Sequence, residues 1–512
     1  MFKEVDEGKQ IKIGAVFSYL LIVLNTVFGL FVSPFLLRQL GDGNYGVYKT
    51  IASFSSTLLV LDLGIGTTVM RYTAKFRAEK KYDAIGNFAA MGLIEAVIMG
   101  IVLLIVSLGI YFSIDGLYGN SFTSSEISLA KNIFLITILT MFLTIVDNVL
   151  NGVIMGTNQF AFANGFKFTI LLLRIVLTFG ILYFWPNAVV LVSISFLTTL
   201  LCCVGNFIYI VKGLKIRIKI ISWDKSIFKE SLGYTALMFI QTLAVQANGN
   251  IDNIVIGAVV GSTVVAVYSF GIQMFNMYES LATSFSNLLL PKVSKRIAEG
   301  ASDSELQDIV TKVGRIQFVV LGAALVGFIC IGQDFISLWL GADYADVYYL
   351  TLILIIPVTF VLIENVCLSI LRAKNLMRFR TISLIATAAF NAIFTIIGVI
   401  LFNYYAAALG TALSTVFGSL IMMNIYYHKR IGFRVFKFYR DVTKRTAICA
   451  ILPGILLVVL NKVLYGSWLE FFIKVVIYCA VYLLLLILYG FNKNEKQMLL
   501  GKLKQGREGN NG

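Results

Sequence analysis

Residues 133–155 read IFLITILTMFLTIVDNVLNGVIM, twenty-three mostly apolar positions that contain one ionisable side chain, Asp147. At a helical rise of 1.5 Å per residue this run covers about 34 Å, enough to cross roughly 30 Å of hydrocarbon. A carboxylate inside such a helix is costly, so its reappearance is informative. Asp147-Asn148-Val149 is matched 217 positions later by Glu364-Asn365-Val366 in a second apolar run, and Asn158, just past the first run, is matched by Asn375. A costly residue placed twice at equivalent points marks a duplicated device in a membrane-spanning chain.

The composition agrees. The 512 residues are 58% hydrophobic and 13% charged, with a mean hydropathy of +0.86, too apolar for a soluble protein of this length. The pattern predicts an all-α polytopic membrane protein with about fourteen spans. They fall at 13–39, 44–70, 84–112, 128–155, 160–184, 187–211, 231–258, 262–290, 314–340, 347–371, 381–402, 405–427, 446–465 and 470–490. A β-barrel would show alternation in place of these unbroken runs.

The net charge of +15 comes from 42 Lys and Arg against 27 Asp and Glu. Its placement argues for topology and against a nucleic-acid partner. Most of the basic residues lie at the amino terminus, in even-numbered loops and in the carboxyl tail. Arg71, Lys75, Arg77, Lys80 and Lys81 flank one such loop; Lys429, Arg430, Arg434, Lys437, Arg440, Lys444 and Arg445 flank another. This positive-inside pattern puts both termini in the cytoplasm, with the cations setting orientation and touching membrane-lipid headgroups. Cys202, Cys203, Cys330, Cys367, Cys449 and Cys479 lie in or against spans without CxxC spacing, and read as core residues. His428 is the single histidine, so neither a histidine metal site nor a histidine-based triad is expected. No cofactor motif and no nucleotide-binding loop is present. The first apolar run is too long for the core of a signal peptide and reads as a retained span.

A second alignment supports duplication. At an offset of 220, Gly41 meets Gly261, Val47-Tyr48 meets Val267-Tyr268, and Lys75, Ala78 and Glu79 meet Lys295, Ala298 and Glu299. Six spans per repeat make both halves insert the same way up. The expected organisation is an N-terminal lobe over 1–211, a cytoplasmic linker over 212–230 and a C-terminal lobe over 231–428. Two additional spans follow over 429–491, then a cytoplasmic tail over 492–512. Pro34 should kink the first span, and LGDGNYG from Leu40 to Gly46 reads as a tight outer turn. The outer loops are too short to carry an enzymatic domain.

Eight ionisable residues lie well inside spans: Lys49, Asp62, Glu95, Asp147, Arg174, Asp252, Glu279 and Glu364. Each opposes insertion by about 2.5–3.5 kcal/mol at a helix centre, so the set should face water or one another. Nine residues separate Asp147 from Gly156, Glu364 from Ala373 and Asp62 from Arg71, which puts all three carboxylates near mid-bilayer. Two readings stand for Asp147 and Glu364: a structural pair tying helices together, or a site whose proton or sodium occupancy biases transport. Lys167 and Arg174 share a helix face and, with Lys49, could line a cationic path for a phosphate-bearing substrate. Against this, Lys167 could snorkel and Arg174 could bridge to a buried acid. Span seven carries Gln241, Gln246, Asn248, Gly249, Asn250, Asp252 and Asn253, a cavity wall bent at Gly249 or else polar packing between helices.

The segment LGDGNYGVYKTIASFSSTLLVLDLGIGTTVMRYTAKF from Leu40 to Phe76, within the fourteen-span plan, resembles the polysaccharide flippases of the multidrug/oligosaccharidyl-lipid/polysaccharide exporter superfamily. The likeness covers essentially the whole chain through a diffuse motif, an LG-x-x-x-YG turn followed by a DLG-type helix. It implies alternating access between two six-helix lobes, moving undecaprenyl-pyrophosphate-linked oligosaccharides across the bacterial cytoplasmic membrane, beside other polysaccharide assembly proteins. On that expectation Arg174, Lys49, Lys167 and Asn248 receive substrate. Asp62, Asp147, Asp252, Glu364, Glu95 and Glu279 then serve coupling or gating. The related lipid II flippases and the cation-coupled multidrug exporters are the alternative readings.

Overall fold

The computed structural model describes residues 7–221 and 242–491 except 63, 247, 375 and 465, without side-chain placement for 283–294, 297 and 298. Every regular element among the described residues is helical. They are α1 (Glu7–Leu40), α2 (Asp42–Leu58), α3 (Ile65–Ala78), α4 (Tyr82–Tyr118), α5 (Ser124–Gly156), α6 (Phe160–Phe184), α7 (Ala188–Ile208), α8 (248–259) and α9 (Ser262–Ala298). There follow α10 (Asp303–Trp339), α11 (Asp346–Ile363), α12 (Val366–Ala373), α13 (Arg378–Leu401), α14 (Tyr405–Ser414), α15 (Met423–Ile431), α16 (Val435–Leu460) and α17 (Trp468–Leu485).

Among the described residues, twelve helical stretches are long and apolar enough to cross a membrane. The chain is therefore an all-α multi-pass membrane protein. The expected span 231–258, the linker 212–230 and Gln241 lie wholly or partly outside the described residues, as do Asn375 and the tail 492–512. The span expected at 262–290 falls within α9. Large apolar side chains stay exposed along the helices, Ile105 at 66% and Phe112 at 69% on α4 and Val176 at 66% on α6. On a soluble protein such faces would aggregate; here they are the surface offered to lipid.

Two compact units divide the chain, Met1–Ser269 with Ala392–Ala407, and Phe270–Asn391 with Ala408–Gly512. In the first, α3, α4, α5 and α7 enclose a core of Val69, Tyr72, Phe88, Met91, Val149 and Val153. The second expected span is broken. Its helix α2 stops at Leu58, a 3₁₀ turn carries Leu59–Asp62, and Gly64 adopts φ +67° before α3 restarts. A left-handed residue here is cheap for glycine alone. Beyond it α3 and α5 touch backbone to backbone: a Cβ on Gly66 would fall 2.5 Å from the Asn148 carbonyl oxygen, and one on Gly152 2.4 Å from that of Gly66. The outer turn expected over Leu40–Gly46 shrinks to Gly41, because Asp42 already begins α2 with its carboxylate at the positive helix end. Pro34 lies inside α1 without ending it.

In the second unit, α10, α11, α12, α15 and α16 bury Val310, Leu321, Leu362, Cys367, Tyr427 and Phe438. Here the span matching α5 is interrupted: α11 ends at Ile363 and α12 begins at Val366, with Glu364 in the gap. The helices α16 and α17 are held along α10 by specific bonds. Tyr478 Oη donates to the Ala323 carbonyl (2.9 Å), Tyr482 Oη to Val319 (2.6 Å) and Asn461 Nδ2 to Cys330 (2.7 Å).

Candidate functional site

The first carboxylate is built on α5, whose start is fixed by a reciprocal capping box between Thr123 and Glu126. Six turns further on, Asp147 is 8% exposed. Asn206 Nδ2 donates to its Oδ1 at 2.8 Å and Cys202 Sγ to its Oδ2 at 3.6 Å. Both donors stand on α7, four residues apart and hence on one face. The Lys167 ammonium on α6 lies within electrostatic reach of the carboxylate without pairing to it. The neighbouring Asn148, about 100° further round α5, turns to Asp62 at the break before α3. Asp62 Oδ1 is buried with no hydrogen-bond partner among the described residues.

The second carboxylate repeats the first with different hardware. Glu364 is 2% exposed in the gap between α11 and α12. Tyr439 Oη donates to its Oε2 at 2.7 Å and Asn424 Nδ2 to its Oε1 at 3.3 Å, while the Arg380 guanidinium on α13 acts on it through space. Each arrangement therefore joins an acid on α5 or in the gap between α11 and α12, an asparagine on α7 or α15, and a cation on α6 or α13. Asn206 and Asn424 are 218 residues apart, one more than Asp147 and Glu364, and Arg380 lies about one helical turn from the position matching Lys167. A π-helical stretch adjoins each asparagine, Tyr209–Gly213 after Asn206 and Thr415–Met422 before Asn424. Such local unwinding recurs at functional sites.

A third carboxylate, Asp252 on α8, is 1% exposed. It accepts from Tyr268 Oη at 2.6 Å and Thr395 Oγ1 at 2.8 Å. Beside it Asn253 Nδ2 donates to Ser53 Oγ at 3.0 Å, tying α8 to α2. Gly249 lies inside the helical stretch of α8.

The expected cations are served separately. The Lys49 ammonium stands over the Tyr45 and Tyr48 rings, at 5.3 and 5.9 Å from their centroids. Arg174 Nη2 donates to Ser195 Oγ at 2.7 Å, so its partner is a hydroxyl and not a buried acid. Asn248 is half-buried on α8. Glu95 and Glu279 are half-buried with no hydrogen bond among the described residues.

The structure thus brings Asp147, Asp62 and Lys167 into one neighbourhood and surrounds Glu364 with residues the sequence reading did not single out: Arg380, Asn424 and Tyr439. A signal existed for the asparagines, since Asn206-Phe207-Ile208-Tyr209 and Asn424-Ile425-Tyr426-Tyr427 align one step from the offset already found. For Tyr439 there was none, because it comes from α16, outside the duplication. Among the described residues, the groups that donate to Asp147 and to Glu364 are all neutral.

The sequence profile of a family described as "Polysaccharide biosynthesis protein" matches residues 13–297, more than half of the chain. No curated protein matches this sequence. Among solved structures, the chain is similar to the lipid II flippase MurJ in an inward closed conformation, at a TM-score of 0.69 and 17% identity over 92% of this chain and 98% of that one. It is also similar to an inward-facing multidrug resistance MATE family transporter of the MOP superfamily, at a TM-score of 0.66 and 15% identity over 81% and 95%. A MOP superfamily transporter from Pyrococcus furiosus aligns at a TM-score of 0.56 and 17% identity over 84% and 96%. At these identities the likeness establishes the fold, and with the profile match it leads to one statement: the chain belongs to the polysaccharide biosynthesis protein family and has the fold shared by these solved MATE and MurJ structures.

Proposed function

We propose that the protein flips undecaprenyl-pyrophosphate-linked oligosaccharide repeat units across the bacterial cytoplasmic membrane by alternating access, supplying surface polysaccharide assembly. In this reading fourteen spans cross the membrane with both termini in the cytoplasm. Lobes 1–211 and 231–428 are joined by the linker 212–230, and the spans of 429–491 and the tail 492–512 complete the chain. Arg174, Lys49, Lys167 and Asn248 meet the pyrophosphate or acidic sugars. Asp62, Asp147, Asp252 and Glu364 couple a proton or sodium gradient to movement, and Glu95 and Glu279 assist gating. The observation that carries the reading is the twin acid–asparagine–cation arrangement around Asp147 and Glu364, in a chain of a polysaccharide biosynthesis family. An arrangement repeated in both halves suits a two-state transporter better than a fixed support needed once.

The test reconstitutes purified protein in vesicles that carry a lipid-linked oligosaccharide labelled on its sugar, and reads the leaflet occupied. The wild type should equilibrate the label across the bilayer in response to an ion gradient. Asp147→Asn and Glu364→Gln should insert at wild-type levels and lose gradient-driven movement at least tenfold. Export of a cationic dye without movement of the lipid-linked sugar would sink the proposal in favour of a drug exporter.

A further inference from the structure

We propose that an anionic phospholipid of the surrounding bilayer occupies a groove between spans twelve and thirteen, at their basic ends. The groove is a cavity of about 580 Å³ lined by Ile421, Asn424, Ile425, His428, Val435 and Phe436, with Arg434 and Lys437 at its rim. Ile421 lies three and four residues before Asn424 and Ile425, and His428 four and three residues after them, so the four share one helix face that runs from apolar to polar. The facing wall is the start of α16. Ile421 and Ile425 are 50% and 52% exposed and Phe436 is 92% exposed, so the groove opens on the surface that meets lipid. None of its lining residues is acidic. An occupant that matches both ends has an apolar chain and a negatively charged headgroup. A phospholipid phosphate meets that description and is always present around the helix.

Chemistry at the mouth agrees. His428 Nδ1 lies 3.1 Å from the Phe433 carbonyl oxygen, and since a carbonyl only accepts, Nδ1 carries the proton and donates. The side chains of Arg434 and Lys437 are exposed and make no hydrogen bond or ion pair among the described residues. Deeper in, Asn424 lines the groove while its Nδ2 donates to Glu364, and its Oδ1 is buried without a hydrogen-bond partner among the described residues. A lipid seated here therefore touches the side chain that holds the buried carboxylate of this half. Lipid retention is read without any transport, so the proposed flipping can fail while lipid binding holds.

The test is mass spectrometry of the intact purified protein released from detergent, titrated with phosphatidylglycerol, with phosphatidylcholine of the same chains, and with a polyprenyl phosphate. Wild type should retain one phosphatidylglycerol in preference to phosphatidylcholine. Each basic side chain near a lipid surface weighs about fivefold in affinity at low salt, so Arg434→Gln with Lys437→Gln should weaken retention by about twenty- to thirtyfold. Ile425→Trp, filling the groove while leaving the cations in place, should also displace the lipid. Equal retention of both phospholipids, or unchanged retention in both variants, would overturn the proposal. So would displacement of phosphatidylglycerol by an equimolar polyprenyl phosphate, which would assign the groove to that lipid.

Discussion

At the scale of single residues, the asparagines decide how a buried acid is tolerated. Among the described residues, Asn206 supplies the only hydrogen bond to Asp147 shorter than 3 Å, whereas Glu364 has two oxygen- or nitrogen-borne donors, Tyr439 and Asn424. Hydrogen bonds between membrane helices average about 0.6 kcal/mol and reach about 1.7, but leaving a buried polar group unpaired raises the loss to about 1–3 kcal/mol. Asn206→Leu is therefore expected to destabilise more than Tyr439→Phe, because Asn424 still serves Glu364. Asp147→Asn should be nearly neutral for folding, since an amide oxygen still accepts from Asn206. Thermal unfolding of the detergent-purified variants, ranked against wild type, checks both statements; a Tyr439→Phe loss equal to or above that of Asn206→Leu would refute the ranking. The buried acids were legible in the sequence because an ionisable letter stands out in an apolar run. Their donors were not, since Asn, Cys and Tyr are common in such runs and become meaningful only when two helices bring them to the acid.

Among the elements, the two helix breaks were the least legible feature and are now the most specific. The sequence around Asp62 offered Gly64 and Gly66 without saying which one bends the chain. Structure divides the labour: Gly64 takes the left-handed turn, and Gly66 with Gly152 lets α3 and α5 meet. The break at Glu364 had no local signal, because α11 runs through Pro357 and stops six residues later. Helix length and apolar content, by contrast, follow directly from the runs of Ile, Leu, Phe and Val, which is why the spans were readable. Gly152→Ala would force a methyl to 2.4 Å from the Gly66 carbonyl oxygen, and such overpacking costs about 1–3 kcal/mol. Gly64→Ala meets a left-handed penalty of about 1–2 kcal/mol. Gly180→Ala on α6 meets nothing within 4 Å and should be neutral or slightly stabilising. Melting temperatures of the three variants, measured side by side, should order as Gly180→Ala above Gly64→Ala and Gly152→Ala; a Gly152→Ala protein as stable as the Gly180→Ala control would refute the close packing.

Across the whole molecule, the two sequence offsets, 217 and 220, leave residues 429–491 outside the repeat. Side chains of these helices reach into the rest of the second unit: α16 sends Tyr439 to Glu364, and α17 locks onto α10 through Tyr478 and Tyr482. The lock is polar. Lys474, with its side chain 2% exposed, pairs with Asp334 near the end of α10, and its ammonium also donates to Asn461 Oδ1 at 3.0 Å and to the Leu464 carbonyl at 3.2 Å. A pair buried this deeply gains little net stability over an apolar pair of the same size, yet removing one partner strands the other and costs about 3–5 kcal/mol. Lys474→Met should accordingly loosen α17 from α10, lower the melting temperature by several degrees and expose a cysteine placed at Val326, which packs against this seam, to a thiol reagent. Adding Asp334→Leu to Lys474→Met should restore most of the stability, since no uncompensated charge then remains. If the double variant melts no higher than Lys474→Met alone, the ion pair contributes through its own attraction and the stranded-charge account of this lock is wrong.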